Sequence, residues 1–186
     1  MKIPDLRRKI IFTIGILLVY RVGGQITVPG VDSSVLKEFF AGSSSTIFGL
    51  YDMFVGGAFT RATVFALGIM PYISASIILQ LMGAVVPFFQ KLQREGEEGR
   101  KKINQYTRYG TVFLAGAQAM GVGYFLENIR GPENGLMAVT DPGWAFRLMT
   151  MVTITAGTVF IMWLGEQITE RGIGNGISLI IFVGIV

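Results

Sequence analysis

Cysteine and histidine are both absent from the 186 residues. That excludes disulfides, thiolate nucleophiles, zinc sites built on either residue, and imidazole proton relays. Charge is scarce as well. Only 15% of the chain is Asp, Glu, Lys or Arg, and these fall in clusters separated by long uncharged runs. With 51% apolar residues, this is the pattern of a membrane protein. There is no Gly-Lys-Ser/Thr phosphate loop, so any driving force must come from a partner. The apolar runs hold no charge near their middles, where ion-coupled transporters place one. Paired carboxylates, a Ser-His pair or a metal motif suited to intramembrane proteolysis are missing too. The chain therefore reads as non-enzymatic, with no catalytic residue, cofactor or metal ligand.

A bilayer core of roughly 30 Å needs about 20 mostly apolar residues in a helix. Five stretches qualify as candidates: 10–28, 62–87, 108–126, 145–165 and 175–186. The last is too short to span by itself, so a fragment of a longer protein is expected. The expected fold is all-α and polytopic. The basic N-terminus precedes an apolar run as a secretory signal would, but no small-x-small cleavage site follows and Arg21 interrupts the run.

Basic residues mark the cytoplasmic side of short loops. The tail 1–9 holds Lys2, Arg7, Arg8 and Lys9, and the loop 88–107 with its border holds Lys91, Arg94, Arg100, Lys101, Lys102 and Arg108. Arg171 in the loop 166–174 joins them. The opposite loops, 29–61 and 127–144, carry only Lys37, Arg61, Arg130 and Arg147, with Arg21 expected to snorkel towards that face. The N-terminus is expected in the cytoplasm. The net charge of +4 is explained by these loops without invoking nucleic acid.

Loop 29–61 is too long for a plain turn. Ser33 or Ser34 is expected to cap a short helix through Phe40. A second piece, about 46–60, carries Ile47, Phe48, Leu50, Tyr51, Phe54 and Val55, with Gly56 and Gly57 as a hinge. Its density of apolar residues fits an interfacial amphipathic helix or a re-entrant, pore-occluding segment. In the second span Pro71 predicts a kink. Ile69, Ile73 and Ile77 recur on one helical face beside Ser76 and Gln80, a stripe that suits lipid, a neighbouring helix or a poorly wetting pore. The glycines and alanines of the third and fourth spans predict close packing, and Thr155, Thr158 and Ser178 are expected to bond back to their own helix. The run GIGNGIS, with Gly172, Gly174 and Gly176, reads as a flexible lead into the fifth span rather than a nucleotide turn.

Four blocks go further: VPGVD at Val28 to Asp32, FALGIMPYISASIILQL at Phe65 to Leu81, EGEEGRKKINQYTRYGT at Glu95 to Thr111, and WLGEQITERGIGNGISLIIF at Trp163 to Phe182. In order and spacing they resemble the SecY family of protein-conducting channels, over its N-terminal half. The resemblance implies about five transmembrane helices forming one half of an inverted-repeat clamshell, with an hourglass pore and a lateral gate. It implies that Ile69, Ile73, Ile177 and Ile181 belong to the apolar pore ring. Ser74, Ile77 and Gln80 would lie towards the lateral gate. The segment from Ile47 to Gly57 would be the plug. It also implies the partners SecE, SecG, the SecA motor and the ribosome, with signal-sequence-bearing polypeptides as cargo and the bacterial inner membrane as location. The basic loop from Lys91 to Arg108 would face the motor or ribosome, or simply hold orientation. The runner-up is an inverted-repeat secondary transporter.

Overall fold

The computed structural model describes residues 4–41, 47–130 and 135–186. Among the described residues eight helices follow in order: α1 (Pro4–Gly23), α2 (Ser33–Ala41), α3 (Ile47–Phe54), α4 (Met70–Val85), α5 (Pro87–Arg94), α6 (Glu97–Asn128), α7 (Trp144–Arg171) and α8 (Gly176–Ile185). Among the described residues the extended backbone is limited to isolated bridges such as Thr27 with Thr63 and Val31 with Val139. The architecture is all-α.

Among the described residues α7 is long and apolar enough to cross a bilayer, and α4 with α5 joins it if that bent pair is taken as one span. The others fall short for local reasons. α1 carries Arg7, Arg8, Lys9 and Arg21, and the uncharged part of α6 is diluted by glycines, tyrosines and Gln118. The 98° bend between α4 and α5 follows from Pro87. A residue before proline avoids helical backbone, and Val86 is extended at φ −94° and ψ 120°.

α6 and α7 pack antiparallel, and small residues let them approach. Ala115, Ala119 and Gly123 are buried against α7, where a methyl on Gly123 would lie 3.6 Å from Thr150 Cβ. An ion pair closes each end of the seam. Arg108 grips Glu166 with two bonds of 2.8 Å, while Arg147 reaches Glu127 at 2.7 and 2.8 Å. Nineteen residues separate Arg108 from Glu127, and again Arg147 from Glu166. At about 1.5 Å per residue each separation is roughly 28 Å, close to a hydrocarbon core. The Arg147 guanidinium also lies 5.1 Å from the Tyr124 ring centre and 5.4 Å from that of Trp144. Such aromatic and basic residues collect at membrane interfaces.

Four local expectations are corrected. Pro71 kinks no helix, because α4 starts at Met70 and the proline occupies its first turn, where the missing N–H is harmless. Asp32, not a serine, caps α2: its Oδ1 accepts the Ser34 amide and hydroxyl, which holds the Asp32 carboxyl below its ordinary range. Thr155 and Thr158 do not bond back; their buried hydroxyls lack partners among the described residues, whereas Thr107, Thr111 and Thr169 do reach the carbonyl four residues earlier. Helical threonine divides between rotamers, so spacing alone could not decide this. The glycine-rich lead into α8 is instead well anchored. Asn175 Oδ1 accepts the Ile177 and Ser178 amides, and Thr13 of α1 accepts the Ile173 amide.

The Glu127 carboxyl, just past the apolar stretch of α6, is held below its ordinary value by hydrogen bonding from Arg147, with burial opposing. Its contribution to stability is therefore complete above the ordinary carboxylate value and is lost as pH falls through the lowered one. Glu127→Gln is expected to lower the melting temperature in detergent at neutral pH, with the gap to the unaltered protein closing in acid. A gap that stays constant with pH would assign the loss to packing.

A candidate pore rim and its closing helix

Between α3 and α4 the chain runs through fifteen non-helical residues, 55–69. Irregular backbone at membrane depth must be satisfied inside the protein. Here it is. Val64 N–H donates to Ile26 O, Ala66 N–H to Thr63 O, Gly68 N–H to Phe65 O, and Ala62 O accepts from Val28 N–H. Thr63 and Ala66 are fully buried. The VPGVD block supplies this support, since Val28 is buried and Asp32 ties the loop to Ala138 O.

The turn after α3 is closed by Asp52. One carboxylate oxygen accepts the Phe59 and Thr60 amides at 3.0 and 2.9 Å, and the other the Thr60 hydroxyl at 2.8 Å. Tyr51 donates to the carbonyls of Ala66 and Leu67 at 3.4 and 3.3 Å. Gly56 and Gly57 have φ of +66° and +76°. A methyl on Gly56 would stand 2.6 Å from the Gly184 carbonyl oxygen, so the segment rests on the far end of α8.

Beneath α3 lies an apolar cavity of about 270 Å³ lined by Phe54, Val55, Ile69, Ile73, Ile180 and Ile181, with Tyr20 and Gly68 at its margin. Three of the four expected ring residues therefore meet on one recess. Ile69 is buried, while Ile73 and Ile181 are partly buried against the same core. Ile177 belongs to that core too, but it sits one turn earlier on α8, with its side chain towards Gly165 of α7. Leu50 and Phe54 of α3 are largely exposed and Tyr51 is half-buried. The side chains of Ile47 and Phe48 lie outside the described residues.

Ala75 and Gly83 bury one face of α4. On the other side Ser74 is half-buried, Ile77 is 51% exposed, and exposed Gln80 donates to Ser76. Lys91, Arg94, Arg100, Lys101 and Lys102 form an open basic surface on α5 and the start of α6, with one loose ion pair from Lys102 to Glu95 at 3.6 Å. Arg108 stands apart from that surface, engaged by Glu166.

Sequence reading missed Asp52 and Gln118. Gln118 is exposed and lies about midway between the two ends of the α6–α7 seam, with no hydrogen bond to another described residue. Its position inside an apolar run was the available signal. Arg21 does not snorkel freely either: it donates to Val183 O at 2.9 Å.

The helical bundle, with a short helix laid over an isoleucine-lined recess, is that of a polytopic membrane protein with a channel fold. Its fold matches a structure described as a protein-conducting channel, with TM-score 0.69 and 20% identity, over 99% of this chain and 37% of that one. Canine Sec61 in a ribosome–channel complex from the endoplasmic reticulum matches with the same scores. Residues 63–186 match the SecY family profile. The protein translocase subunit SecY of Escherichia coli K12 is 53% identical over 98% of this chain and 40% of its own length, and that of Aquifex aeolicus 46% identical over 100% and 43%. The chain belongs to the SecY family, and it spans about two fifths of the length of those curated relatives.

Gly56→Ala is expected to destabilise the protein by about 1–2 kcal/mol through the left-handed backbone, and to lift α3 from α8 besides. Gly135→Ala, at φ +63° with open space around it, isolates the backbone cost. Faster proteolysis of the 49–60 segment in the first variant alone checks this; equal behaviour would mean that the α8 contact holds nothing.

Proposed function

We propose that this chain is the N-terminal half of the central subunit of a protein-conducting channel, which passes unfolded secretory proteins across the bacterial inner membrane and releases membrane segments laterally into it. The observation that carries the reading is the recess where Ile69, Ile73 and Ile181 meet under Phe54 and Val55 of α3. An apolar rim wets poorly and can close around chemically varied cargo, and a helix seated over it blocks the path when the channel is idle. Ile177 completes the ring, and α3 with its glycine hinge is the plug.

In this reading the five spans are 10–28, 62–87, 108–126, 145–165 and 175–186, with the N-terminus in the cytoplasm. The ion pairs at the two ends of the α6–α7 seam support that depth. Ser74, Ile77 and Gln80 line the lateral gate. Exposed Gln118, costly in lipid at mid-depth, calls for cover by the half that the chain lacks. The open basic surface from Lys91 to Lys102 meets SecA or the ribosome, and SecE and SecG brace the assembly. A Sec61 relative seen on a ribosome supports that partner. The transporter alternative needs an Asp, Glu, Lys or Arg at mid-depth, and none of these lines the recess.

The test uses the absence of cysteine from these residues. Ile73→Cys is introduced into the complete channel, a secretory chain is stalled in passage, and crosslinking is assayed. A crosslink that requires a working signal sequence is the expected result. Capture only from neighbouring positions would move the ring by a helix face; no capture anywhere would favour a transporter. Ile73→Asn should raise resting ion leak and relax the demand for a strong signal sequence.

A further inference from the structure

A second recess borders α3. It holds about 90 Å³ and its wall is polar, formed by Tyr20, Arg21, Gln25, Gly56, Arg61 and Gly184. Arg21 donates to Val183 O at 2.9 Å and Arg61 to Gln25 Oε1 at 3.0 Å. Both acceptors are neutral. The nearest acid in sequence to Arg61, Asp52, has both oxygens committed to the turn at 59–60, and neither guanidinium forms an ion pair among the described residues. Exposed Arg21 and half-buried Arg61 thus share one small recess without a counter-charge among the described residues, an arrangement that costs free energy as the surroundings become less polar. Each guanidinium has five N–H donors in a planar fork suited to a carboxylate.

We propose that this recess is a carboxylate site, filled by an acidic side chain of the polypeptide that completes the channel. The inference rests on the channel reading above. Its size admits a side-chain carboxylate more readily than a phospholipid headgroup. The chain covers 40% of its Escherichia coli relative, so a complete subunit has ample sequence to supply the acid. The site is also coupled to closure. Gly56 forms part of the wall, and a methyl on Gly57 would stand 2.9 Å from Arg61 Nη2. Displacing α3 removes that wall, so occupancy favours the seated helix and the seated helix favours occupancy.

The experiment uses the complete channel carrying Arg61→Lys or, separately, Arg21→Lys. A water-soluble carbodiimide joins an amine to an adjacent carboxylate, and mass spectrometry reads the linked peptides. The expected product links residue 61 or 21 to an acid outside residues 1–186, and falls several-fold when a stalled chain displaces α3. Capture by Asp52 alone, capture of a lipid phosphate, or no capture in either variant would overturn the proposal. Protein passage is measured on the same preparations. Passage without capture sinks this inference alone, whereas failure of the unaltered channel to pass a secretory chain sinks the channel reading.

Discussion

A backbone N–H or C=O buried away from water needs a partner within the protein, and the rest of this structure depends on how residues 55–69 meet that constraint. A helix would have satisfied them locally. These residues instead form a chain of turns that satisfies only part of them, as in Ala66 N–H to Thr63 O and Gly68 N–H to Phe65 O; the remaining partners come from outside the segment, from Ile26 and Val28 after α1, the Asp52 carboxylate and the Tyr51 hydroxyl. Because the support comes from outside, α3 is held over the recess by the same bonds that keep the turns buried.

The α6–α7 seam supplies the rigid frame for that arrangement. Its small residues bring the helices close, and an ion pair at each end fixes their register. Against this frame α4 presents Ala75, which faces Gly110 of α6, and this leaves Ile73 at the recess shared with α8. α8 is set by Asn175 and Thr13, so Ile181 arrives opposite Ile69 and Ile73. An apolar recess thus assembles from isoleucines more than a hundred positions apart in sequence.

The glycines divide into two kinds. Gly123 and Gly165 permit helices to approach, whereas Gly56, Gly57 and Gly68 hold left-handed backbone that shapes the turns. The first kind could be anticipated from the composition of the apolar runs, and the hinge at Gly56 and Gly57 from their pairing in the loop, whereas Gly68, inside an apolar run, could not.

Helical class and the basic and apolar alternation were legible because each depends on spacing along one segment, whereas the isoleucine stripe was read only in part: Ile73 and Ile77 lie on α4, but Ile69 precedes it. The four matching blocks carried the family for the same reason. Contacts between distant segments were not legible: the start of α4 at Met70, the committed carboxylate of Asp52, the grip of Glu166 on Arg108, and the pairing of Arg21 with Val183 O. Sequence by itself determined which stretches must avoid water and which face of each is apolar, since hydrophobic periodicity is local. Only the tertiary structure decided which apolar faces meet and which polar groups satisfy one another, because buried backbone and charge take their partners from wherever the chain brings them.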